Sequence, residues 1–140
     1  KAGNHYVTAY LPQAGYALGE SSSLGRTPTV ETFLIQLASG KRSVLASHPY
    51  HECPEHSTAT PSPSGRTIAL TTVTGVCGFE PRPQPVELNW LTAQGEPYAE
   101  PLRFESTFGP NIAWASESEL LIGEGDTTRR VSVPVPSENR

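Results

Sequence analysis

Methionine is absent from this chain of 140 residues, and aspartate occurs only at Asp126. Without Met the first residue is not an initiator, so the chain reads as a processed product or as part of a longer one. Nothing near Lys1 resembles the apolar core of a signal peptide. A single aspartate leaves a Ser-His-Asp arrangement one acid besides the glutamates, and there is no Gly-x-Ser-x-Gly elbow. Charge is also scarce, at 17% of residues against about 25% in typical soluble domains. Ten basic and 14 acidic side chains give a net charge of -4, which removes the basic footprint that sequence-independent nucleic-acid binding needs. No apolar stretch exceeds five residues, far short of the about 20 that carry a helix across a bilayer. Membrane association is therefore expected only through a partner. No window of 11 or more residues keeps a helical period, so a phosphate-binding loop would have no helix to precede.

Turn formers are plentiful, with 12 Gly and 14 Pro, and a chain of this length reads as one domain, residues 1–140. Internal similarity organises it. Tyr10-Leu11-Pro12-Gln13-Ala14-Gly15-Tyr16-Ala17-Leu18-Gly19-Glu20 aligns without a gap on Trp114-Ala115-Ser116-Glu117-Ser118-Glu119-Leu120-Leu121-Ile122-Gly123-Glu124, at an offset of 104. Pro61–Thr71 fits about halfway between, with one extra residue at its turn. A second element, Phe33–Lys41, matches Glu87–Glu96 about 54 positions later. Two elements in phase point to repeats at about 5–45, 57–104 and 111–136.

The middle repeat shows the unit. Ser57–Pro61 reads as a short strand, and Pro63-Ser64-Gly65-Arg66 supplies turn chemistry. Thr67–Val73 is β-branched and aliphatic, as a strand requires. After a long connection, Thr74–Pro85, Val86–Leu91 is a third strand, and Ala93–Glu96 turns into a fourth ending near Leu102 and Phe104. The aromatic residues Tyr6, Tyr10, Tyr16, Phe33, Trp90, Phe104 and Trp114 fall on these strands, where packing between units is their expected use. The fold class is all-β, built of antiparallel four-stranded units.

Ser62-Pro63-Ser64-Gly65 followed by Arg66-Thr67-Ile68-Ala69 resembles the Ser-Pro-Asp-Gly turn and aliphatic strand of TolB-like β-propellers, a branch of the WD-repeat type. Ser64 stands where that family favours Asp. Trp114-Ala115-Ser116-Glu117-Ser118 is similar to the same motif without its proline, and Ala38-Ser39-Gly40-Lys41 to the hairpin between a blade's third and fourth strands. The resemblance implies an incomplete propeller of about 2.5–3 blades, because the last repeat has no evident fourth strand. Rings close with roughly four to eight blades. The chain is therefore expected to be a piece of a longer protein, to complete its ring with further copies or other subunits, or to be a divergent small β-domain. The function implied is non-catalytic protein binding or scaffolding within a larger assembly. The alternatives are the propeller portion of a prolyl-oligopeptidase-like hydrolase, or a metal site.

Blade topology would bring Cys53 and Cys77 to one end of one hairpin. A disulfide there would contribute on the order of 3 kcal/mol and place the chain outside the cytosol, in the periplasm or an equivalent compartment. Two unrelated thiols are the other reading. His48, His51 and His56 flank Cys53 between Ser47 and His56, and imidazole and thiolate are the usual zinc or copper ligands. Their spacing matches no established metal motif, so no cofactor is expected, and a connecting loop with polar residues facing water is the competing reading. Tyr50, Phe79, Arg129 and Arg130 are candidates for partner contact. Val131–Pro136 suits an edge strand or an arm laid on a partner.

Overall fold

The computed structural model describes residues 2–23, 28–49, 56–73, 83–107 and 109–136. Among them there are eleven strands and no helix. The first sheet contains β1 (Ala2–Leu11), β2 (Tyr16–Ser23), β3 (Thr29–Gln36) and β4 (Arg42–Pro49). The second contains β5 (His56–Pro61), β6 (Thr67–Val73), β7 (Gln84–Thr92) and β8 (Leu102–Ser106). The third has three strands, β9 (Asn111–Ser116), β10 (Glu119–Glu124) and β11 (Thr127–Ser132). Each is an antiparallel meander in chain order, and no sheet closes on itself.

Local chemistry accounts for these hairpins. Between β5 and β6, Gly65 takes φ +81, a left-handed conformation that costs a glycine little. Its N–H donates to the Ser62 carbonyl at 2.9 Å, and the Ser62 hydroxyl accepts from the Thr67 N–H at 3.3 Å. β8 begins at Leu102 rather than ending there. The preceding segment, with Pro97 and Pro101, makes one isolated bridge to Leu91, since proline has no N–H for a ladder. β4 likewise runs through His48 to Pro49, and β5 starts at His56, so both ends of the expected histidine loop are strand. β4 is an edge strand, where a terminal proline is tolerated.

The second sheet is covered on both faces. Its Ile68, Leu70 and Leu91 pack with Tyr16, Leu18 and Leu34 of the first sheet. Its Ala69, Leu88 and Trp90 pack with Leu120 and Ile122 of the third. Hence β6 is buried at five consecutive positions, Thr67 to Thr71, the pattern of a strand with no solvent face. One consequence bears on the repeats. Leu18 and Ile122, aligned at 104, reach the middle sheet from opposite sides. The gapless match is thus a match of strand pattern with the faces exchanged.

Val133 and Pro134, beyond β11, lie against the rest of the chain. Val133 is buried, its N–H donates to Ser118 O at 3.0 Å, and the Tyr98 hydroxyl donates to Pro134 O at 2.8 Å.

Tyr16 ties the first sheet to the second, its hydroxyl donating to Gly65 O at 2.7 Å. Burial, aided by the negative charge of Glu117, pushes its pKa up from 10.0 to about 12. An unfolded chain gives up this proton near pH 10 while the folded one holds it, so the unfolded state binds fewer protons between the two values. Stability contributed by the protonated hydroxyl is complete below pH 10 and falls as pH rises toward about 12. Urea midpoints measured from pH 8 upward are expected to decline across this window, and Tyr16→Phe to flatten that decline. The same variant costs about 1 kcal/mol at neutral pH through the lost hydrogen bond.

Candidate functional site

Sequence-selected residues separate in the fold. Tyr50, His51, Cys53, Cys77 and Phe79 lie outside the described residues. His48 projects from β4 toward the second sheet, and its Nε2 pairs with Ser57 Oγ at 2.8 Å. Ser57 is buried, and its hydroxyl also bonds Thr72 Oγ1 at 2.7 Å. This is a polar clasp between the first and second sheets. His56 sits on the opposite face of the second sheet, its Nε2 at 3.4 Å from Thr58 Oγ1, on the side that the third sheet covers. The two described histidines of the candidate metal set are thus separated by a sheet. Among the described residues no three His, Cys, Asp or Glu side chains converge as metal ligands.

Arg129 and Arg130 are likewise divided, because successive strand residues point to opposite faces. Arg129 lies over the Phe104 ring at 5.4 Å from its centroid. Arg130 binds Glu119 at 2.7 Å on the outer face of the third sheet. They do not form a single basic spot.

The most developed surface is one the sequence reading did not single out: the face of the first sheet turned away from the second. Register places Val7 opposite Gly19 and Tyr10 opposite Ala17, and Gly19 and Ala17 opposite Phe33 and Ile35. Phe33 and Ile35 in turn face Val44 and Arg42 on β4. Val7, Tyr10 and Val44 are 57%, 67% and 51% exposed. Tyr10, expected to pack between units, therefore faces solvent, as does Tyr6, whose hydroxyl donates to Glu20 at 2.8 Å.

Phe33 organises this face. Its ring lies across Gly19, where a Cβ would come within 2.5 Å of it. The Arg42 guanidinium stacks above it at 3.9 Å from the centroid, a cation–π geometry. Arg42 also donates to Ser21 Oγ at 3.0 Å and pairs with Glu31 at 3.5 Å. Phe33 is buried beneath this lid, and the lid's charge is neutralised locally. What remains is an apolar rim of Val7, Tyr10 and Val44 around a compensated ion pair.

A bulge hid this surface from sequence reading. An extra residue between Val7 and Ala9 puts Val7 and Tyr10, three apart, on one face. Strict alternation would have put them on opposite faces. A second bulge, between Thr32 and Phe33 in their pairing with β4, turns the adjacent Leu45 and Ala46 both toward the core.

Comparison with protein-family models, curated proteins and solved structures finds no match to this chain.

Proposed function

We propose that this chain is a non-catalytic binding or scaffolding element that works inside a larger protein assembly. Its three sheets are blade-like units of an incomplete propeller of the TolB-like kind. The observation carrying this reading is the contrast between the sheets. The second sheet has both apolar faces covered by neighbouring sheets, whereas the first leaves Val7, Tyr10 and Val44 on an open face. With Arg42 and Glu31 paired, that face carries no unbalanced charge and suits another sheet of the same character. Contiguous exposed apolar surface of this kind marks interaction sites. The outer face of the third sheet differs, carrying the ion pair of Arg130 and Glu119.

The test is the mass of the native particle by light scattering or native mass spectrometry. A particle well above 15.1 kDa is expected. Replacing Tyr10 and Val44 together by Glu is expected to release the chain from it, with the denaturation midpoint of the chain itself little changed. A wild-type particle that remains a 15.1 kDa monomer, or an assembly indifferent to the double variant, would overturn the proposal.

A further inference from the structure

A cleft of about 380 Å³ opens between the second and third sheets, lined by β5, the end of β6 and the start of β9. Its volume falls within the range of about 300–1,000 Å³ common to small-molecule sites. The polar side chains facing it are His56, Thr58, Thr60 and Thr71; Asn111 stands at its rim, with its side chain on the outer face of the third sheet opposite Gly123. Its apolar walls are Val73, Pro110 and Ile112. Register explains the threonine cluster: Thr58 pairs with Thr71, and His56 with Val73, so all four side chains share the face toward the third sheet. Thr60 lies on the same face, two residues beyond Thr58.

Thr71 supplies the second observation. It is only 4% exposed, and its Oγ1 has no hydrogen-bond partner among the described residues. A buried hydroxyl without a partner loses its hydration for nothing in return, a cost of about 1–3 kcal/mol. Thr67 Oγ1, also buried in β6, likewise has no partner among the described residues, but it lies outside the cleft; what distinguishes Thr71 is that it lines the cleft. A hydroxyl kept at the floor of an open cleft points to a group that enters the cleft and bonds it.

We propose that this cleft binds a small neutral polyhydroxylated compound, a monosaccharide or a polyol. The donor set selects the class. The threonine hydroxyls of Thr58, Thr60 and Thr71 each both donate and accept, as ligand hydroxyls do, and the His56 imidazole adds ring nitrogens beside them. No Lys, Arg, Asp or Glu lines the cleft among the described residues, so an ionic ligand would lose hydration without meeting a counter-charge. The methyl groups of Thr58, Thr60 and Thr71, with Val73, Ile112 and the Pro110 ring, suit the C–H faces of such a compound.

The probes are D-glucose, D-galactose, D-mannose, myo-inositol and sorbitol, each at millimolar concentration, read by saturation-transfer NMR on the whole chain. At least one is expected to receive saturation from the protein, and its affinity to fall about tenfold in Thr71→Val, as loss of one hydrogen bond to a buried hydroxyl implies. A second readout keeps the result interpretable. Without ligand, Thr71→Val is expected to match or exceed the wild-type thermal midpoint, because the hydroxyl it removes is unpaired. If none of the five compounds binds, or binding is the same in Thr71→Val, the site does not exist as proposed. A Thr71→Val protein with a clearly lowered midpoint would also overturn it, since the hydroxyl would then serve the fold rather than a ligand.

Discussion

Trp90→Ala is expected to cost about 3–5 kcal/mol, the range for removing a large aromatic side chain from a packed core. That is a large share of the about 5–15 kcal/mol by which domains are stable, and a drop in thermal midpoint of roughly 10 °C or more accompanies it. Trp90 lies in β7 opposite Ala69, and both face the third sheet in one cluster with Leu88, Leu120 and Ile122. The small Ala69, fully buried, leaves the indole room against the neighbouring sheet, so deleting the indole opens a void that both sheets would have to collapse to fill. The Tyr98 N–H donates to the Trp90 carbonyl at 3.1 Å, and the Tyr98 hydroxyl holds Pro134. Loosening the tryptophan therefore also loosens the terminal arm. Urea denaturation of Trp90→Ala and Trp90→Phe checks this, with the phenylalanine variant retaining most of the stability. A loss below about 1 kcal/mol, the level of an ordinary substitution, would mean that the third sheet is not docked on the second.

Gly19→Ala and Gly123→Ala should diverge, although the two glycines occupy the same place in the repeat alignment. A Cβ at Gly19 would lie 2.5 and 2.7 Å from Phe33 ring carbons and 2.7 Å from the Tyr6 carbonyl oxygen. The ring could swing away only by leaving its place under Arg42, and the carbonyl belongs to the paired strand. Overpacking of this kind costs about 1–3 kcal/mol. At Gly123 the nearest atoms would stand at 3.8 Å or more, an ordinary contact. There the gain from restricting an unfolded glycine, about 0.4–1 kcal/mol, should make alanine neutral or stabilising. Parallel urea titrations measure both. Equal effects at the two positions would show that Phe33 does not cross Gly19 as described. Because Phe33 anchors the open face, Gly19→Ala is also expected to weaken assembly, while Gly123→Ala leaves it intact.

The fold class was legible in the residues. The turn at Pro63–Arg66, the β-branched run Thr67–Val73 and the lack of helical periodicity led directly to antiparallel strands, because turn geometry and side-chain branching act within a few residues. The three strands that the last unit shows among the described residues were legible too. What the residues concealed were faces and neighbours. His48 and His56 stand eight apart in a cluster rich in ligand types, yet a sheet separates them. Arg129 and Arg130 are adjacent, yet one stacks on Phe104 and the other pairs with Glu119.

By itself, then, the sequence determined that this is an all-β chain of short antiparallel strands. Only the tertiary structure decided which side of each strand is core, which is open, and where a buried hydroxyl meets a cleft. The physical reason is the two-residue period of a strand. A single inserted residue, as at the bulges beside Val7 and Leu45, exchanges every following side chain between faces without altering the composition or local propensity of the strand.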